Sequence, residues 1–219
     1  AEDVVPLNLY PFNKIKTKKD SAKIKFLQKE EIELLKNIEL EEGSLMSKFR
    51  DMFVFSIYAG GLRIGDVISL QWKHINFEDS KLSKVIRKTG NLHSFRLVQP
   101  ALKVLKKYKN ENSTDESFVF SLVNDEQKFL KNEYYAISEI QRISQNINNE
   151  FTDLSQKLEL NSKLTFHMSR HTFATNALNN GMRIEHVSKV MDHSSIRVTE
   201  IYAKVINTEL DASMDKFVY

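Results

Sequence analysis

Arg170 stands in register with Phe173, Ala174, Ala177 and Leu178, so a helix through this stretch turns its guanidinium toward the apolar side. A guanidinium stays protonated at any physiological pH, and burying one requires an anion nearby. His167, Arg170, His171 and Ala174 share one helical face. Arg63 follows Gly60-Gly61-Leu62, where one apolar helix ends and the next begins, a sharp turn that holds a side chain rigidly at an edge. Two arginines delivered by separate rigid elements suit the nonbridging oxygens of a phosphodiester, because the planar fork of Arg matches phosphate. Taken singly, each reads as readily as a structural ion pair: Arg170 with an internal carboxylate, Arg63 with Asp66.

Tyr202 falls with Val198, Ile201 and Val205 on one apolar stripe, the pattern of a core tyrosine, and most of the seven tyrosines must be that. His193 sits in the polar corner Asp192-His193-Ser194-Ser195, which also reads as an ordinary helix cap. His167 and His171 have the i, i+4 spacing of a zinc site, but Met168 stands where a zinc-peptidase helix carries Glu, and spacing offers no third ligand. Ile184 to Met191, the corner and the helix through Tyr202 also have the outline of a helix-turn-helix, which reads a major groove without chemistry. Spacing alone does not choose among these.

Order does. The pieces Ala59-Gly60-Gly61-Leu62-Arg63-Ile64-Gly65-Asp66, Arg87-Lys88-Thr89-Gly90, His167-Met168-Ser169-Arg170-His171-Thr172-Phe173-Ala174-Thr175 and His193-Ser194-Ser195-Ile196, then Thr199 and Tyr202, resemble the tyrosine recombinase, or phage integrase, family. The resemblance covers roughly Phe26 to Val205. It implies that Arg63 and Arg170 bind the scissile phosphate, that Lys88 protonates the leaving oxygen and that Tyr202 attacks. It further implies that His167 and His193 complete the pocket, His167 also assisting proton transfer at Tyr202, and that Asp66 supports the site. Two departures are visible. Asp192 replaces the glycine common before the pocket histidine, which puts a carboxylate of unsettled orientation beside an anion site, and Met168 replaces a frequent leucine.

The implied activity is site-specific recombination through a 3′-phosphotyrosine, with neither ATP nor metal nor other cofactor. The implied partners are double-stranded DNA, a homotetramer assembled on it, and accessory DNA-bending proteins. A type IB topoisomerase shares the chemistry and would relax DNA instead. The chemistry itself asks for groups of these types. A phosphodiester resists nucleophiles until its oxygens are neutralised, and each preorganised donor is worth on the order of a hundred- to a thousandfold in rate. A covalent intermediate conserves the bond energy for religation. Tyrosine and lysine ionise near 10, so both depend on a cationic pocket to work at neutral pH.

The elements that must hold these groups follow from periodicity. Apolar positions Ile32, Leu35 and Ile38, then Leu45, Phe49, Met52, Phe53 and Ile57, mark two helices, the second broken by Gly60-Gly61; Val67, Ile68 and Leu70 mark a short third. Ile75 to Val98 switches to strand signals, with Lys84–Lys88 and His93–Val98 flanking a turn at Gly90-Asn91. Helices are expected from Pro100 to about Lys109, Tyr134 to about Leu158, Phe166 to Asn179, Ile184 to Met191 and Ser195 to Val205, with a weaker one after Thr208. A loop, Asn110 to Ser117, and a short apolar run, Phe118 to Leu122, fall between the first two of these.

The expected fold is therefore mainly α with a small antiparallel β-sheet, an α+β catalytic domain over residues 26–206, followed by a tail, 207–219, that docks on a neighbouring subunit. Residues 1–25 carry Pro6, Pro11 and six lysines from Lys14 to Lys25 and read as a basic interdomain linker, with Lys14, Lys16, Lys18 and Lys19 set to touch DNA phosphates. A start at Ala1 reads as a fragment lacking the N-terminal core-binding domain of the family. With 41% hydrophobic and 28% charged residues over 219, the chain can bury a core, and its net charge of +3 permits a polyanionic partner without requiring one. The absence of cysteine excludes disulfides, thiolate metal sites and cysteine nucleophiles. No apolar run approaches the roughly 20 residues of a membrane span, so a cytoplasmic protein of bacterial, phage or mobile-element origin is expected, without a membrane partner.

Overall fold

From Met52 to Ile57 every residue but Ser56 is apolar, more than one helical face holds, so the helix that contains them is expected at the centre. A computed structural model, describing residues 24–205 and Met214, places it there. Helix α1 spans Lys29–Asn37 and α2 spans Leu45–Tyr58, the latter capped by the Ser44 hydroxyl, which accepts from Ser47 N at 3.2 Å. Phe49, Met52, Phe53, Phe55 and Ile57 of α2 are all buried, and α1, α4, α6 and α7 pack round it. After the short α3, Ile64–Ile68, a turn of 3-10 helix at Trp72–His74 leads into three strands: β1 Ile75–Asn76, β2 Lys81–Val85 and β3 Leu92–Arg96. They form one antiparallel sheet in the order β1-β2-β3, with Leu82 opposite Phe95 and Lys84 opposite His93.

Helices α4 (Gln99–Tyr108), α5 (Glu126–Lys131), α6 (Glu133–Lys157), α7 (Phe166–Asn179) and α8 (Ile184–Val190) follow, then a 3-10 turn at Ile196–Val198 and a helix, α9, from residue 200 to the last of this run described, 205. In the long α6, Ala136, Ile143, Ile147, Phe151 and Leu154 recur at helical spacing and are buried, while Asn148 and Asn149 point outward. Asn132 caps its first turn by accepting from Tyr135 N at 3.0 Å. No helix among the described residues is long and apolar enough to cross a membrane.

The mainly helical fold with its small antiparallel sheet is the one the sequence led us to expect, with local corrections. Strand β2 begins at Lys81 and ends at Val85, so Lys88 lies in the turn itself rather than on a strand. The turn is closed by Ile86 N donating to Asn91 O at 2.9 Å and allowed by Gly90 at φ +73°. Helix α5 had no periodic sequence signal: of its two apolar residues, Phe129 is buried and Leu130 is exposed. The expected helix from Ser195 to Val205 is interrupted at Thr199, whose buried hydroxyl meets His193 Nδ1 at 2.8 Å. Val198 and Ile201 are exposed, so the apolar stripe read around Tyr202 is not a core stripe. The expected helix after Thr208, the linker lysines Lys14, Lys16, Lys18 and Lys19, and the tail lie outside the described residues, Met214 apart.

The Phe53 ring meets Phe151 edge-on at 5.6 Å and Phe166 at 6.1 Å, joining α2 to α6 and to the start of α7. Phe53→Ala should therefore cost about 3–5 kcal/mol in urea unfolding. A loss below about 1 kcal/mol, the scale of a surface change, would place the centre of the core elsewhere.

Candidate active site

The inward face of α7 is built from small residues: Ser169, Thr172, Ala174, Thr175 and Ala177 are all buried. This lets α2 come close, with Ser56 Oγ and Ser169 Oγ 2.8 Å apart. It also seats Arg170 against the turn that follows α2. Gly60 and Gly61 both take left-handed φ, +74° and +67°. A Cβ on Gly60 would lie 2.5 Å from Val190 Cγ1, and one on Gly61 would lie 3.2 Å from Arg170 Cα. A side chain at 60 would force Val190 to shift, and one at 61 would press on the Arg170 backbone, in each case on top of the left-handed φ. In return the Gly61 carbonyl accepts from Arg170 Nη1 at 2.8 Å, and the Met191 carbonyl, at the end of α8, accepts from Nη2.

Arg170 is 5% exposed, yet among the described residues no carboxylate lies within ion-pairing distance of it. The internal ion pair that would make it purely structural is missing. Burial, and then the neighbouring charge of Arg63, push its pKa down to about 10. Arg63 itself caps the approach to α3, and its partner is not Asp66: Nη1 stands 3.8 Å from Asp192 Oδ2, and Nη2 donates to Asp192 O at 3.5 Å. Asp66 is buried and accepts from Arg87 N at 2.9 Å, tying α3 to the β2–β3 turn. Lys88, the next residue, is exposed, and its charge is felt at His167.

Four aromatic rings line the same place. His167 and His171, one helical turn apart, meet edge to face at 4.4 Å between centroids. His171 Nδ1 lies 3.0 Å from Tyr202 Oη, and the Tyr202 ring stacks parallel to that of His193 at 6.5 Å. Tyr202 is 2% exposed, buried with Ala174, Ala177, Val187 and Met191. Burial holds its hydroxyl above the ordinary value, opposed by the charge of Arg170. Burial and the arginines keep the imidazoles neutral: His193 and His171 fall to about 4, and His167 is lowered in the same direction. With His171 Nδ1 engaged and no third metal-ligating side chain gathered among the described residues, the zinc reading has no ligand set.

The fold thus brings Arg63, His167, Arg170, His193 and Tyr202 together from α3, α7, the corner after α8, and α9, with the Lys88 turn alongside and Asp66 behind it. Three residues to which the sequence reading gave no role in this site take part in it. His171 rather than His167 holds the tyrosine hydroxyl, although its place on the face of His167 and Arg170 was visible. Thr199 orients His193. Lys84, read as an ordinary strand residue, points inward and donates to Ser69 O at 3.0 Å, and burial lowers its pKa to about 8.

A second arginine beside a buried guanidinium that has no carboxylate in ion-pairing distance among the described residues, with a tyrosine next to them, has the chemistry to hold a phosphoryl group and offer it a nucleophile. Residues 25–209 match the model of the phage integrase family, and the chain belongs to that family. Among curated proteins it is 29% identical over 219 residues to tyrosine recombinase XerC of Pediococcus pentosaceus, covering 98% of this chain and 69% of that one. It is 27% identical over 170 residues to tyrosine recombinase XerA of Pyrococcus furiosus, covering 77% and 55%. The chain spans about half the length of several such relatives. Of solved structures, that of XerA recombinase is similar with a TM-score of 0.57 at 19% identity, over 89% of this chain and 66% of that one. The catalytic domain of bacteriophage HP1 integrase gives 0.51 at 15%, over 89% and 95%. At these identities the structural likeness speaks for the fold.

Gly61→Ala tests how the guanidinium is seated. The left-handed backbone and the contact with Arg170 should together cost at least about 1–2 kcal/mol in thermal unfolding. Any phosphodiester cleavage should fall further than the folded fraction does, because Arg170 loses the Gly61 carbonyl. An Ala variant as stable and as active as the parent would mean the turn relaxes freely.

Proposed function

We propose that this chain carries the strand-cleaving and rejoining centre of a site-specific DNA recombinase, and that Tyr202 is its nucleophile. The observation that carries the reading is Arg170: a guanidinium 5% exposed, with no carboxylate at ion-pairing distance among the described residues, 21 residues from the carbonyl of Met191 that helps aim it, and beside Arg63. Such a site is incomplete until an anion enters. A DNA phosphate supplies one. Arg63 and Arg170 hold its nonbridging oxygens, with His167 and His193 donating or accepting at the rim.

Tyr202 Oη gives its proton to a neighbouring imidazole and attacks phosphorus. The bond from phosphorus to the 5′ oxygen breaks, and that oxygen takes a proton from Lys88. The products are a 3′-phosphotyrosine and a free 5′-hydroxyl. Attack by a 5′-hydroxyl from a second strand reverses each step and needs no energy source. Asp66, through Arg87 N, supports the turn that carries Lys88. Exchange between two duplexes requires several active sites at once, which is the argument for a homotetramer on double-stranded DNA, assisted by proteins that bend it. The lysine-rich segment before residue 26 contributes phosphate contacts, and a cytoplasmic setting follows from the substrate.

A nicked suicide duplex carrying the recombination site should trap a denaturant-resistant protein–DNA adduct, with peptide mapping placing the phosphate on Tyr202. Tyr202→Phe keeps the ring and loses one hydroxyl, so stability should change by no more than about 1 kcal/mol while the adduct vanishes. An adduct on another tyrosine, or one that survives in the Phe variant, overturns the assignment. No adduct from the parent protein on a verified site would favour a noncatalytic DNA-binding module.

Neutralising Lys14, Lys16, Lys18 and Lys19 should flatten the dependence of log binding constant on log salt by up to about 3.6, at roughly 0.9 for each phosphate left unneutralised. Cleavage at saturating DNA should stay unchanged. A slope that does not move removes these lysines from the DNA.

A further inference from the structure

The residue before His193 takes φ +54°, in the left-handed region that glycine enters freely, yet the chain has an aspartate there. Its side chain is only 8% exposed, and it does not point into solvent. Asn91 Nδ2 donates to Asp192 Oδ1 at 2.7 Å, and Thr89 Oγ1 donates to Oδ2. Both partners belong to the β2–β3 turn, a hundred residues away in sequence. Around the same carboxylate stand His93 Nε2 from β3 and Arg63 Nη1 from the start of α3, each at 3.8 Å. Burial works against ionisation here, but the bonds from Asn91 and Thr89, with His93 and Arg63 behind them, hold the carboxyl below its ordinary range.

Lys88 sits between two such anchors. On one side Arg87 N is held by Asp66 on α3; on the other, Thr89 and Asn91 are held by Asp192 at the corner after α8. Lysine has a long flexible stem, so the place its ammonium can reach is set chiefly by where its backbone is fixed. We infer that Asp192 is a positioning residue, a latch that clasps the β2–β3 turn against the His193 corner and so keeps Lys88 over the phosphate pocket. The inference rests on the proposed role of Lys88 as proton donor to the leaving oxygen. Three of the four residues facing the carboxylate belong to the hairpin, so the turn and not Arg63 is its main engagement.

The test uses the whole chain with two nicked suicide duplexes, one with an ordinary scissile phosphate and one with sulfur at the 5′ bridging position, which leaves without a proton. Asp192→Gly suits the backbone and removes the carboxylate, and with it the more distant charges at Arg63 and His93, while the Asp192 carbonyl that accepts from Arg63 stays; a change in phosphate binding through Arg63 would fall equally on both duplexes. Single-turnover cleavage of the ordinary duplex should fall by about tenfold, a part of the hundredfold or more that a general acid supplies. On the sulfur duplex the variant should come within about twofold of the parent, because no acid is needed there. Lys88→Ala should show a larger loss of the same kind, and adding Asp192→Gly to it should cost nothing more. An equal loss on both duplexes, no loss on either, or an additive double variant overturns the latch while leaving the acid in place. A Lys88→Ala loss that sulfur does not relieve overturns the acid, and the latch with it. Should the glycine variant fail to fold, Asp192→Asn, which keeps the volume and one acceptor oxygen, decides by the same comparison, a sulfur-relieved loss supporting the latch and an equal loss sinking it.

Discussion

The arrangement turns on one buried charge. Arg170 is held by two main-chain carbonyls, Gly61 at the end of α2 and Met191 at the end of α8, and by no carboxylate among the described residues. Carbonyl dipoles orient a guanidinium without cancelling its charge, so its field reaches outward to whatever enters the pocket. The demand propagates. The Gly61 carbonyl can face Arg170 only because two successive glycines turn left-handed where a Cβ would strike Val190 or Arg170. Met191 presents its carbonyl only because the chain reverses at Asp192. The small inward face of α7, through Ser169 against Ser56, sets the depth at which the guanidinium sits.

Neutral histidines follow from burial first and from the same field second. Burial disfavours the charged forms of His193 and His171, and Arg170 adds to it at both, with Arg63 at His193 and His167 at His171, so both are pushed to about 4. As neutral rings they can accept or relay a proton at physiological pH. The sign for stability follows. Because their folded pKa values lie below the unfolded value near 6.5, the unfolded chain binds protons first, and stability drains as pH falls from about 6.5 toward 4.

Much of this was legible in the residues. Arg170 on an apolar helical face, Arg63 after a diglycine and the corner before Tyr202 are local signals, readable because helical period and turn chemistry are local properties. What escaped was set by contacts distant in sequence. Lys84 reads as a polar strand residue until the sheet lies on α3, when its position opposite His93 turns it inward onto Ser69. Helix α5 has one buried side chain and no period to detect. The break at Thr199 exists because its hydroxyl serves His193, an interaction no periodicity encodes. The orientation of Asp192 could not be read from a single position, since its partners Thr89 and Asn91 are brought to it only by the hairpin.

The surroundings of Tyr202 add a last constraint. A core tyrosine is carried on a segment whose other apolar residues are buried with it, but Ile196, Val198 and Ile201 are all exposed around this one. Among the contacts of segment 196–205 are the packing of the Tyr202 ring, its hydroxyl at His171 and Thr199 at His193. Shifting α7 would disrupt its packing against α2 and the cluster round Phe53, and with it the core. The Tyr202 ring and these two hydrogen bonds are together worth a few kcal/mol by the usual scale of such interactions. The arginines therefore sit on the side of the pocket built into the core, and the tyrosine on a segment whose neighbouring apolar residues are exposed; if Tyr202 is the nucleophile, as proposed, that is the side on which it could follow a strand it had captured.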